Sequence, residues 1–136
     1  MVKLINTIFT SNDLRENIIQ IIKSNTILIE NLIFDDNTAN TLIDIQDSIA
    51  TFTNSSLTQN HIIQSVISFD NTVVTMKDII IRKTSYVGQI AYTTVEFINT
   101  NATILNYESS NNMVQVGGAI LAVQNSNIKI DNANIL

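Results

Sequence analysis

Cysteine, proline and tryptophan are absent from the 136 residues, glycine occurs three times and histidine once. Without cysteine there is no disulfide framework, thiol nucleophile or zinc knuckle. Basic residues number 7 against 12 acidic ones, a formal net charge of −5. That balance leaves no electrostatic footprint for nucleic acid and no polybasic stretch for an anionic membrane. Charged residues make up only 14% of the chain and hydrophobic ones 45%, which argues against disorder and for one domain with a sizeable core. Long apolar runs are missing too. Residues 117–123 fall far short of a membrane span, and residues 1–6 lack the apolar stretch of a secretory signal.

What is present is isoleucine among the apolar residues and asparagine, threonine and serine among the polar ones. Ile, Val and Thr are β-branched and suit a pleated, half-buried surface. Asn and Ser suit turns, where their side chains bond nearby backbone. Many short strands joined by Asn-rich turns are expected. Tight hairpins want Asn-Gly or Asp-Gly, and neither dipeptide occurs. That argues against an antiparallel meander.

A repeat supplies the architecture. Apolar, any, apolar, any, Asn, then an apolar residue three places on recurs along the chain. The polar anchors are Asn6, Asn31, Asn54, Asp78, Asn99 and Asn132, at spacings of 25, 23, 24, 21 and 33 residues. A second set of apolar pairs rides on the same period. One column reads Ile19, Leu42, Val66, Val87 and Ile120, the other Ile22, Ile45, Phe69, Ile90 and Val123. An all-β single-stranded parallel β-helix of about five to six coils fits a period of about 21 to 25 residues. In such a solenoid equivalent residues stack about 4.8 Å apart, and inward columns fuse into one core. The anchors would form an Asn ladder at a bend, their left-handed backbone replacing the missing glycines. The long step is assigned to an inserted loop at 107–115. The run Ser109-Ser110-Asn111-Asn112 reads as a linker.

Gly117-Gly118-Ala119-Ile120 together with Phe9-Thr10-Ser11-Asn12 and Phe34-Asp35-Asp36-Asn37 resembles the Gly-Gly-Ala-Ile and Phe-x-x-Asn repeats of the polymorphic outer membrane protein family. Leu57-Thr58-Gln59-Asn60 is a degenerate copy. The resemblance implies a right-handed parallel β-helix exposed on cells, with an adhesive or structural role.

Chemistry-bearing residues are few. His61 has no Asp, Glu or Cys at ligand spacing. Asp35-Asp36 and Asp44 with Asp47 are the densest carboxylates, and stacking would set the first pair over Gln59, with Arg82-Lys83 two coils away. A solvated corner is the expected reading, because a glycosidase needs two carboxyls facing one cleft. Asp78 reads as an isostere in the ladder, neutralised by Lys77. Gly117-Gly118 lacks the Gly-Lys-Ser/Thr of a phosphate loop and reads as a close backbone corner. No catalytic residue, metal or cofactor is expected. Asn54-Ser55-Ser56 and Asn101-Ala102-Thr103 are glycosylation acceptors for a chain secreted by a eukaryote.

Both ends stop without a capping repeat, although a solenoid exposes sheet edges there. The chain is therefore expected to be one segment, residues 1–136, of a longer solenoid, or to pair with neighbouring chains. The reading is a non-enzymatic structural or adhesive segment at the cell surface or outside the cell, with flanking coils, glycans or surface proteins as partners. The alternatives are a β-helix carbohydrate-active enzyme or glycan-binding module, and an antiparallel β-sandwich.

Overall fold

The computed structural model describes residues 1–86, 93–113 and 118–136. Every strand pair among them is parallel. The chain is a β-solenoid of about five coils, and the antiparallel alternative is excluded. The first coil carries β1 (Val2–Ile5), β2 (Ile8–Thr10) and β3 (Ile19–Ile22). The second has β4 (Ile27–Glu30), β5 (Ile33–Asp35), β6 (Thr38–Ala39) and β7 (Ile43–Gln46). The third has β8 (Ile49–Thr58), β9 (His61–Ile62) and β10 (Ser65–Asp70). The fourth has β11 (Val73–Arg82), β12 (Ser85–Tyr86) and β13 (Thr93–Ile98), and the fifth β14 (Asn101–Ser110) and β15 (Ile120–Val123). Strand β16 (Asn127–Ile135) lies on β14.

Three sheets enclose the core: a first face from β1 and β2 through β16, a second from β3 through β15, and a short third of β6, β9 and β12. Period-2 alternation turns Ile27, Ile29, Phe52, Met76 and Ile104 inward on the first face, and Ile43, Ile45, Ile67, Phe69, Val95 and Phe97 on the second. Like residues then stack. The rings of Phe9 and Phe34 lie 4.7 Å apart, and those of Phe69 and Phe97 5.5 Å apart.

The corners explain the asparagines. Among the described residues sixteen non-glycine positions have φ between 47° and 58°, a conformation that costs most L-residues roughly 1–2 kcal/mol and that Asn and Asp tolerate best. They stack in three files. The first is Asn6, Asn31, Asn54, Asp78, Asn106 and Asn132. The second is Ser11, Asp36, Gln59, Lys83 and Asn111. The third is Lys23, Asp47, Asn71, Asn99 and Gln124. Long strands such as β8 run straight through the first corner, bending there.

Three expectations are corrected. Asn99 leaves the first ladder, and Asn106 takes its rung. The cause is that the first and second faces end in the same motif: Val95-x-Phe97-x-Asn99 mimics Ala102-x-Ile104-x-Asn106 but closes a different side.

The two core columns are also out of register. Ile19 pairs with Ile43, Ile67, Val95 and Ile120, whereas Leu42 and Val66 sit one position earlier. The inward file is Ile21, Ile45, Phe69, Phe97 and Ala122, while Ile22 and Val123 align with the outward Gln46 and Asp70. A one-residue slip moves a side chain to the opposite face, and Ile22 is 49% exposed. Val87 and Ile90 lie outside the described residues.

Finally, 107–110 is no loop. It belongs to β14, and Tyr107 is 1% exposed, its hydroxyl 3.1 Å from Thr94 Oγ1. Ser109 and Ser110 are buried in the same strand. The extra length falls between Lys83 and Asn99, because the coil offset grows from 24 residues at His61–Ser85 to 28 at Thr72–Thr100.

Two inward polar files tie the coils together. Immediately after the second corner stand Asn12, Asn37, Asn60, Thr84 and Asn112. The corner turns the following N–H away from the strand ladder, where it would be buried without a partner. The side chain of the next coil takes it instead. The Asn37 N–H and Nδ2 both donate to Asn60 Oδ1 at 3.0 Å, and Asn12 does the same to Asn37 Oδ1 at 3.1 and 2.8 Å. Each Nδ2 also reaches a carbonyl of the preceding coil: Asn37 to Phe9, Asn60 to Phe34, Asn112 to Ile81. Hydroxyls serve after the third corner, where the N–H groups of Ser24, Thr72 and Thr100 donate to Ser48, Thr100 and Ser126. The inward bonds run both ways, forward to side chains of the next coil and back to carbonyls of the preceding one, whereas the amides of the exposed first file donate backward only, Asn31 to Asn6 and Asn132 to Asn106.

Candidate functional site

The outer surface of the second face carries a cluster of polar side chains. Asp44, Ser68 and Glu96 form one outward row, and Gln46, Asp70 and Ile98 the adjacent one. They line a shallow groove of about 210 Å³ closed at its side by Asn17, Thr41 and Gln64. Asp44 is only 7% exposed. It is tolerated there because three amides, from Asn17, Gln20 and Gln46, donate to its Oδ2 at 3.0, 2.9 and 3.0 Å. Glu96 is less well served. Burial pushes its carboxyl up, a 3.3 Å bond from Ser65 Oγ pulls it partly back, and the Asp70 charge raises it further. Among the described residues no lysine or arginine lines the groove. Its acceptors and amide donors are suited to hydroxyl groups.

A second cluster spans coils two to four near the third face. His61 Nδ1 lies 2.5 Å from Ser85 Oγ, and its Nε2 lies 3.9 Å from Asp36 Oδ1. Sequence reasoning leaves His61 alone because Ser85 comes from the next coil, 24 residues on. The column spacing was the signal that could have found it. The His61 and Asp36 side chains are 45% and 62% exposed, so Asp36 and His61 remain a solvated corner. Beside them Asp35 accepts from Thr58 Oγ1 and Gln59 Nε2 at 2.9 and 3.1 Å, the Gln59 bond being foremost in holding its carboxyl low. Two coils on, Arg82 grips Glu108 with two bonds of 2.6 Å, and the Glu108 carboxyl is pulled down in consequence.

Asp78 accepts the Asn106 amide at 2.7 Å and faces Lys77 Nζ at 3.9 Å, in keeping with a charged isostere in the ladder. Asn54 and Asn101 are both exposed. Gly118 has φ +74°, but a Cβ there would meet nothing within 4 Å. Its backbone conformation therefore accounts for a glycine at this position, and close approach does not. Gly117 lies outside the described residues. Among the described residues no three His, Asp or Glu side chains converge as metal ligands, and no helix is long and apolar enough to cross a membrane. Comparison with protein-family models, curated proteins and solved structures finds no match to the chain.

Proposed function

We propose that the chain is a structural segment of a surface-exposed or extracellular β-solenoid, a stiff element built of stacked coils. One observation carries this reading: the polar residues are spent on neighbouring coils. Amide, hydroxyl and carboxylate side chains at the corners bond the equivalent position one coil away. The resemblance to polymorphic outer membrane protein repeats supports the same surface role. The test is sedimentation and electron microscopy of the isolated chain across a concentration series. Rods that lengthen with concentration are expected. A monomer that stays monodisperse at the highest concentration refutes the rod-forming scaffold.

The groove along Asp44, Asp70 and Glu96 supports a second role, adhesion through a neutral glycan whose hydroxyls meet its carboxylates and amides. Glycan-array binding that is lost in Asp44→Ala and Asp70→Ala would support it. Equal binding by both variants would exclude it.

A further inference from the structure

The exposed first corner file is stitched by amide bonds between coils. Asn31 donates to Asn6 at 2.8 Å, Asn106 to Asp78 at 2.7 Å and Asn132 to Asn106 at 2.8 Å. Asn54 stands in the middle with the same backbone, φ 49°. It is the one rung whose carboxamide makes no hydrogen bond among the described residues. Asn31 on one side has already given its amide to Asn6. Asp78 on the other takes the Asn106 amide on Oδ1 and faces Lys77 with Oδ2.

That same residue opens an acceptor sequon, Asn54-Ser55-Ser56. Ser55 is turned inward at 3% exposure, its Oγ donating to the Thr53 carbonyl and accepting the Leu32 N–H. Ser56, the third sequon residue, pairs with Ile33 and Ile80 in its neighbouring strands and keeps its hydroxyl out of any hydrogen bond among the described residues. The sequon thus has an exposed, unengaged amide at its first position and an unengaged hydroxyl at its third.

We propose that Asn54 is an N-glycan attachment site, a deepening of the extracellular reading on which it rests. In the attachment step Asn54 Nδ2 bonds to the anomeric carbon of a lipid-diphosphate-linked oligosaccharide. The anomeric C–O bond to the diphosphate breaks, the lipid diphosphate leaves, and Nδ2 yields one proton to a transferase base. A sugar on Asn31, Asn106 or Asn132 would remove a bond between coils. On Asn54 it removes none, and it sets a bulky hydrophilic group midway along one corner of the solenoid.

The test has two arms. In the first, the full chain behind a cleavable signal sequence is translated in the presence of microsomes. Protease-protected chain is expected to gain one N-glycosidase-sensitive mass step in Asn101→Gln, and to lose that step when Ser56→Ala is added. Ser56→Ala leaves the Asn54 side chain in place, so loss of the step is not a loss of the rung. Protected chain whose Asn54 peptide is unmodified overturns the proposal. In the second arm, the Asn54 peptide is mapped from the protein in its own cells. A glycan there supports both readings. Unmodified Asn54 in surface or secreted protein overturns the glycan site alone, and recovery solely from the cytosol overturns the extracellular reading with it.

Discussion

Thr84 interrupts the inward asparagine file, and replacing it with Asn should stabilise the solenoid. In this file Asn37 and Asn60 each accept from the coil before and reach a carbonyl with Nδ2. Thr84 is 1% exposed, and its Oγ1 has no hydrogen-bond partner. Thr84→Asn would offer Oδ1 to the Asn60 N–H and amide, and Nδ2 to Asn112 Oδ1 and the Leu57 carbonyl, repeating the geometry seen at Asn37. A net intramolecular hydrogen bond contributes about 0.5–1.5 kcal/mol. Two to three formed well, less some strain of fit, give a gain of about 1–3 kcal/mol. For a chain of this size each kcal/mol moves Tm by roughly 3–5 °C. Thr84→Val is the control, because it deletes the orphan hydroxyl without adding a rung. Urea and thermal unfolding of the three proteins, followed by circular dichroism, decide the matter. A gain in the Asn variant no greater than in the Val variant, or a loss in both, refutes the argument that the file is a cooperating ladder with one rung missing.

The two kinds of asparagine should respond differently to truncation. Asn37→Ala orphans the half-buried Asn12 N–H and should cost about 1–3 kcal/mol, with Asn37→Gly no better. Asn31→Ala should cost about 1–2 kcal/mol, chiefly from the left-handed backbone, and Asn31→Gly should recover most of it in the same denaturant titrations. Phe69→Ala removes one ring of the buried Phe69–Phe97 stack and should cost about 3–5 kcal/mol. Retention of wild-type stability would show that the file is not the core. Glu96 has a carboxyl raised above its ordinary value, so the folded chain holds that proton more tightly than the unfolded one. Its contribution is therefore full below the ordinary glutamate value and is lost as pH rises through the raised one. Glu96→Gln should flatten the stability profile across that window, and identical slopes in the two proteins would count against it.

The parts of this fold that are legible in the sequence are those where local chemistry and periodicity agree. Asn and Asp fill eleven of the sixteen left-handed corners, doing the work of the missing glycines. Five of the six anchors in the apolar-x-apolar-x-Asn motif lie in one file. The side of the solenoid is illegible to that motif, because Phe97-x-Asn99 and Ile104-x-Asn106 carry the same local code and only strand register separates them. The inward ladder was signalled all along by Phe-x-x-Asn at Phe9–Asn12 and Phe34–Asn37. It remains hidden as a ladder because later coils substitute Thr84 for Asn, and Ile81 and Ser109 for Phe. Pairings such as His61–Ser85 and Asp44 with Gln20 cross coils, so they emerge only once the stacking offset is known.

The inward asparagine file holds each coil from both sides. The Asn37 amide reaches Asn60 Oδ1 ahead and the Phe9 carbonyl behind, and its own Oδ1 receives the backbone and side-chain N–H of Asn12. Opening one coil therefore strips partners from its two neighbours at once. Fraying is resisted along the whole axis, and the coils open as a cooperative block rather than peeling singly.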